Sequence, residues 1–161
     1  MNFLGIDPGV HGGMALLNER REVVLVQAFD QLSTEWELFG AVVSAASLAD
    51  HVALERVGYR PGDGGKGGFT FGQGYGALRA MIMAAGHTPL NILPQVWQGR
   101  LGCLTGGDKK VTLATARLTF PSVAELDTPR KRGLANSIAD ALLIAEYCRR
   151  LKTGAEGARN G

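Results

Sequence analysis

Short apolar runs broken by turn-forming residues open the chain. Phe3-Leu-Gly-Ile-Asp7 reads as a buried strand stopped by Pro8 and Gly9. Gly12 and Gly13 turn the chain into Met14-Ala-Leu-Leu17, and Glu19 to Glu22 turns it again into Val23-Val-Leu-Val26. Three consecutive strands with polar turns predict an antiparallel meander. Ser33, Glu37 and the apolar Leu38, Val42, Val43 and Ala46 predict a capped amphipathic helix to about Leu48, and Val52-Ala-Leu-Glu55 a fourth strand. Nine glycines fall between Gly58 and Gly76, which predicts a long loop. Beyond it the pattern gives a helix over Ala77–Ala85, a strand over Thr88–Leu93, a helix from Pro94 to Leu101, and further helices over Asp108–Leu118 and Asn136–Leu151. The order β-β-β-α-β-α-β-α-α-α predicts an α/β domain with a mixed sheet flanked by helices. Residues 1–151 read as one domain and 152–161 as a flexible tail.

Composition narrows the class of protein. The chain has 161 residues, 45% of them hydrophobic and 20% charged, enough for one self-sufficient core without a metal or disulfide staple. Apolar stretches stop well short of the roughly 18 residues of a membrane span, so no membrane partner is expected. Two cysteines and an N-terminus that runs straight into a strand predict a reduced, cytoplasmic protein. The net charge of +2 hides an asymmetry: residues 1–99 carry six basic and nine acidic side chains, residues 100–161 eleven and six. The C-terminal part is therefore a candidate anion-facing surface.

Three carboxylates occupy apolar surroundings. Asp7 and Glu55 each close an apolar strand, and Asp140 sits inside Ile138-Ala-Asp-Ala-Leu-Leu-Ile-Ala145. Taken singly, Asp7-Pro8-Gly9 has a simpler account as an Asx-type turn and Glu55-Arg56 as an exposed strand end. Asp140 resists such an account, because its helix is apolar nearly all round. If the two strands are adjacent and parallel, Asp7 and Glu55 both emerge at one sheet edge, where open α/β folds place ligands, and Asp140 meeting them there would make three. Each pair would then repel by roughly 4 kcal/mol at 4 Å and an effective dielectric of 20. A divalent cation cancels that repulsion. Hard oxygen donors without a His or Cys cluster point to Mg²⁺ or Mn²⁺ and to no small-molecule cofactor.

Gly5-Ile-Asp-Pro-Gly9, Leu54-Glu-Arg-Val57 and Ala139-Asp-Ala-Leu-Leu-Ile-Ala-Glu-Tyr147 resemble, in order, three motifs of the RuvC family of Holliday-junction resolvases, especially its phage-type members. Phe69-Thr-Phe-Gly-Gln-Gly74, Pro94-Gln-Val-Trp-Gln98 and Gly107-Asp-Lys-Lys110 fall between them in the family's order, so the resemblance runs from about residue 3 to 150. It implies a ribonuclease H-like fold, with a five-stranded sheet of three antiparallel strands plus two parallel ones. It also implies a homodimer that cuts four-way or branched DNA with two Mg²⁺ ions per active site, Mn²⁺ substituting. Asp7 would bridge the ions while Glu55 and Asp140 each hold one. The family's fourth acidic or His ligand, three or four residues before the last Asp, is replaced here by Ser137 and Asn136. Asn136 offers at most one carbonyl oxygen in that catalytic position. It is alternatively a helix N-cap, or marks a catalytically weak or inactivated junction-binding protein.

The remaining candidates concern DNA. Arg56, Arg60, Lys66, Lys109 and Lys110 are candidate phosphate contacts, the last two reinforced by a helix N-terminus. Phe69 and Phe71 lie where the family places a wedging aromatic, and one of the two is expected to pack inward. Trp97 reads as core, and the helix over residues 77–86 as a candidate dimer face. An actin-like ATPase shares the first motif but needs two such domains, for which the chain is too short. A nuclease acting on RNA in hybrids remains a competing substrate class.

Overall fold

The computed structural model describes residues 1–9, 11–56, 58, 64–104, 106, 108–127 and 132–155. Five strands, β1 (Asn2–Asp7), β2 (Gly13–Asn18), β3 (Val23–Ala28), β4 (His51–Glu55) and β5 (Leu90–Ile92), form one sheet in the order β3-β2-β1-β4-β5. The β1–β2 and β2–β3 pairs are antiparallel, and β4 runs parallel to both β1 and β5. The mixed sheet expected of a ribonuclease H-like fold is thus present, three antiparallel strands plus two parallel ones. Arg21, at a left-handed φ of 67°, closes the β2–β3 turn.

Helices cover both faces. On one side α1 (Glu35–Ser47) and α2 (Gly64–Ala84) bury Val42, Ala46, Leu78 and Ile82 against Leu4, Ile6, Leu16 and Leu54 of the sheet. On the other, α3 (Pro94–Leu101), α4 (Lys109–Thr119) and α5 (Arg132–Thr153) pack onto Phe3, Ala15, Leu17 and Ala53. Adjacent residues of β1 therefore serve opposite layers, as the two-residue period of a strand requires. Among the described residues no helix is long and apolar enough to cross a membrane. Cys103 and Cys148 are buried and free.

Two boundaries move by small amounts. The cap of α1 is Thr34, one residue after the expected Ser33, and forms a capping box with Glu37. Helix α5 continues to Thr153, into the stretch expected as tail, while residues 156–161 lie outside the described residues.

A larger correction concerns the glycine-rich stretch. From Gly64 onward it is helix α2, not loop. Each interior glycine costs up to about 1 kcal/mol relative to alanine. The C-terminal half of α2 is anchored in the core by Leu78, Met81 and Ile82, and extending an existing helix needs no new nucleus. Tyr75 and Arg79 secure it further by donating hydrogen bonds to Asn91 Oδ1 of β5, at 2.9 and 3.0 Å. Glycine composition alone misses this tertiary anchoring.

Helix α5 runs backbone-to-backbone against β1. A Cβ on Gly5 would lie 2.5 Å from the Ala141 carbonyl oxygen and closer still to the Ala145 nitrogen. By contrast a Cβ on Gly72 of α2 meets nothing within 4 Å. Gly5→Ala should therefore destabilise the chain by about 3 kcal/mol or more, because backbone cannot step aside. Gly72→Ala should stabilise it by up to about 1 kcal/mol. Urea denaturation of both variants checks the contrast, and equal effects would remove the assigned role of Gly5.

Candidate active site

Asp7 and Glu55 stand one residue beyond Ile6 and Leu54, the last paired positions of the parallel β1–β4 ladder. Both carboxylates therefore leave the sheet at one edge, as adjacent parallel strands require. The face alternation that points Phe3 and Gly5 at α5 carries Asp7 to the same side. The close approach at Gly5 brings α5 near enough for Asp140, one residue before Ala141, to join them. All three residues are buried, at 9%, 9% and 4% exposure.

Their electrostatics follow from that enclosure. Burial first, and the neighbouring Asp140 second, push the Asp7 carboxyl up to about 6, although it accepts a hydrogen bond from the Gly9 N–H at 3.1 Å. Burial and then Asp7 push Glu55 up to about 7, against the opposing hydrogen bond from Trp97. Glu146 of the same helix α5 shows what a satisfied buried acid looks like. Burial alone would raise it, but Arg149 and Arg150, each at 2.7 Å, outweigh that and hold its carboxyl below the usual range. Among the described residues no arginine plays that role for the sheet-edge acids.

Two residues complete the site. Pro94 starts α3 directly after β5, which places Trp97 fully buried one turn later, with its Nε1–H donating to Glu55 Oε1 at 2.9 Å. Sequence reasoning finds Trp97 in the core, as it is, but not its hydrogen bond to an acid 42 positions away. Lys109, the first residue of α4, ion-pairs with Asp140 Oδ2. Burial opposes its charge, yet Asp140 chiefly, with Asp7 and Glu55, holds the ammonium above its ordinary value. Lys109, expected among phosphate contacts, is therefore also part of the carboxylate site.

In chemical type, three carboxylates with one orphaned oxygen suit a hard divalent cation. Asp140 Oδ1 is buried without a hydrogen-bond partner among the described residues, and the Asp140 charge acts on the Asp7 and Glu55 carboxyls. The three acids nonetheless do not close into a ligand cage: among the described residues no three His, Cys, Asp or Glu stand close enough to hold an ion. Their coupling acts through space, and the positive charge among them belongs to Lys109.

The other candidates are placed as follows. Asn136, half-buried, lies in the second turn of α5, which begins at Arg132, so it is no N-cap. The neighbouring Ser137 hydroxyl donates to the Gly133 carbonyl at 2.8 Å and to that of His11. Arg56, Lys66 and Lys110 are exposed, and Lys110 N–H donates to the Asp108 cap at 2.9 Å. Phe69 is 67% exposed, whereas Phe71 is half-buried and stacks on Tyr75 at 6.3 Å. Arg60 lies outside the described residues. Because β4 and β5 are parallel, α2 must start at the carboxylate edge and return to the opposite one, so Lys66 and Phe69 belong to the site's end of the sheet. A groove of about 570 Å³ between β3 and residues 119–125 lies at the other end and shares none of these residues.

Asp7 and Glu55 bind protons more tightly folded than unfolded. Their stabilising contribution is thus fully present below about pH 4 and is lost as pH rises through about 6 and 7, on the order of 3 kcal/mol for each. Urea midpoints in EDTA should fall between pH 5 and pH 8 for the native chain, and Asp7→Asn combined with Glu55→Gln should flatten the fall. Trp97→Phe removes a hydrogen bond that favours ionised Glu55, so the Glu55 side-chain carbon resonance should titrate at higher pH. An unmoved midpoint would show that the bond does not act on the charge.

No protein-family description and no curated protein matches this chain. Two solved structures of RuvC from Thermus thermophilus do share its fold. The first superposes with a TM-score of 0.62 at 19% identity, covering 96% of this chain and 97% of that one. The second, RuvC in complex with a Holliday junction substrate, gives 0.63 at 20% identity over 96% of each chain. The chain thus has the RuvC fold over nearly its whole length.

Proposed function

We propose that this chain is a structure-selective endonuclease that resolves four-way or branched DNA by metal-dependent phosphodiester hydrolysis. The observation that carries the reading is the convergence of Asp7, Glu55 and Asp140 from β1, β4 and α5 at one buried edge. The fold shared with a protein solved on a Holliday junction supports the substrate class. The ordered motifs support a phage-type RuvC resolvase of the ribonuclease H-like superfamily, acting in the cytoplasm.

In this reading Asp7, Glu55 and Asp140 would together hold two Mg²⁺ ions, with Mn²⁺ able to substitute. The chemistry such ions would supply is activation of water and stabilisation of the leaving 3′ oxygen, as a hydrolysis leaving 5′-phosphate and 3′-hydroxyl ends requires. The protein's own residues do the rest. Trp97 fixes the Glu55 carboxylate by its hydrogen bond and shields it from water. Arg56, Lys66 and Lys110 offer positive charge to the backbone, and exposed Phe69 offers a stacking surface worth roughly 1–3 kcal/mol on an unpaired base. Arg60 joins the basic set on sequence grounds alone.

A symmetric junction calls for a homodimer. The apolar residues of the dimer face expected over residues 77–86, Leu78, Met81 and Ile82, are core residues instead, so the interface we assign is the opposite, largely exposed stripe of α2, where Gly64, Gly68, Gly72, Gly76, Ala80 and Ala84 recur every fourth position. A second reading, a junction-binding protein with little or no turnover, is favoured by Asn136 one turn before Asp140.

Labelled four-way junction should be nicked in Mg²⁺ while linear duplex stays intact. Asp7→Asn, Glu55→Gln and Asp140→Asn should each slow nicking by more than about 100-fold. Asn136→Asp should raise the rate. Tight junction binding without nicking by either the native chain or Asn136→Asp, in Mg²⁺ or Mn²⁺, would establish the binding-only reading.

A further inference from the structure

Lys109 stands where two demands conflict. Its ammonium is bound to Asp140 Oδ2 and attracted by Asp7 and Glu55, so one monovalent charge serves three buried carboxylates. The second oxygen of Asp140 has no partner, and no ion cage is closed among the described residues. An ammonium on Asp140 and a divalent ion sharing that carboxylate repel each other, and the ion carries twice the charge. The backbone of Lys109 is held at the start of α4, where Asp108 caps the helix. Its side chain is 61% exposed on a flexible four-carbon stem, so only the ammonium needs to move.

We propose that Lys109 is the displaceable counter-cation of the site: its ammonium neutralises Asp140 until a divalent ion enters, then leaves for the phosphate of bound DNA. The inference rests on the metal-dependent reading above and adds an order to it. Before metal, Lys109 limits the repulsion among the acids. After metal, the same charge faces solvent at the mouth of the site and becomes a DNA contact. The two roles exclude each other in time, which reconciles a lysine suited to phosphate with one found on a carboxylate.

Mn²⁺ binding to the full-length chain without DNA, followed by calorimetry at low salt, tests the exchange. Lys109→Met should bind Mn²⁺ about tenfold more tightly than the native chain, since no ammonium must leave, whereas Lys109→Arg should bind no more tightly than native. Equal affinity in all three chains, or weaker binding by Lys109→Met, overturns the exchange and leaves the metal-dependent reading intact. Absence of Mn²⁺ binding by every chain takes both down. Should Lys109→Met not fold, the native chain still decides the matter. Its Lys109 ammonium resonance should shift as Mg²⁺ is added, with the midpoint of metal binding, and a resonance unmoved at saturation overturns the proposal. With Ca²⁺ present, the salt slope of junction binding should be steeper by about one for the native chain than for Lys109→Met, and the two should coincide in EDTA. A difference that persists equally in EDTA would mean that Lys109 reaches phosphate without being displaced.

Discussion

The site and the fold depend on one close contact, the backbone of α5 against Gly5 of β1. A side chain at that position would overlap the Ala141 carbonyl and the Ala145 amide, so only the bare Cα lets the helix lie this near. Three consequences follow from that approach. The larger core cluster closes around Leu142, Leu143, Ile144 and the sheet residues Ala15 and Ala53. Asp140 comes within electrostatic reach of Asp7 and Glu55. All three acids are largely buried, and so their charges act on one another strongly.

Burying like charges is tolerated only when something of opposite sign offsets them. At Glu146 two arginines three and four residues along the same helix do so, and the result is a structural ion pair. At the sheet edge the offset is incomplete. Asp7 and Glu55 hold protons well above the carboxylate range, and among the described residues Asp140 keeps one oxygen unpartnered while the lysine that reaches the group comes from another helix. Such a centre is unstable by itself and receptive to added positive charge. That imbalance separates a site from a salt bridge here, because α5 carries a buried carboxylate in each, Asp140 in the one and Glu146 in the other.

Helix α2 shows a different balance. Its C-terminal half is held by Leu78, Met81, Ile82 and the hydrogen bonds to Asn91, while its N-terminal half carries glycines that no packing contact requires. Nothing within 4 Å would obstruct a Cβ at Gly65, Gly72, Gly74 or Gly76. The helix therefore persists there by continuation from an anchored end, not by propensity. Being the crossover between parallel β4 and β5, it must begin at the carboxylate edge, which places its least stable turns beside the site.

Much of this was legible along the chain. The short apolar runs of Phe3–Asp7, Met14–Leu17 and Val52–Glu55 and the longer apolar stretch of residues 136–151 determined the element types, and an acid in or at the end of such a run marked each of Asp7, Glu55 and Asp140. These are local signals, set by how one segment partitions its own side chains between water and core. The sequence by itself did not determine the helix at Gly64–Gly76, because glycine propensity opposed it and its anchors lie in another strand. Nor did it reveal the bond from Trp97 to Glu55 or the pairing of Lys109 with Asp140, which join residues 42 and 31 positions apart. Only the tertiary structure decided those contacts. Hydrogen bonds and ion pairs are short-ranged and directional, so their partners are chosen by where packing leaves each polar atom, not by spacing along the chain.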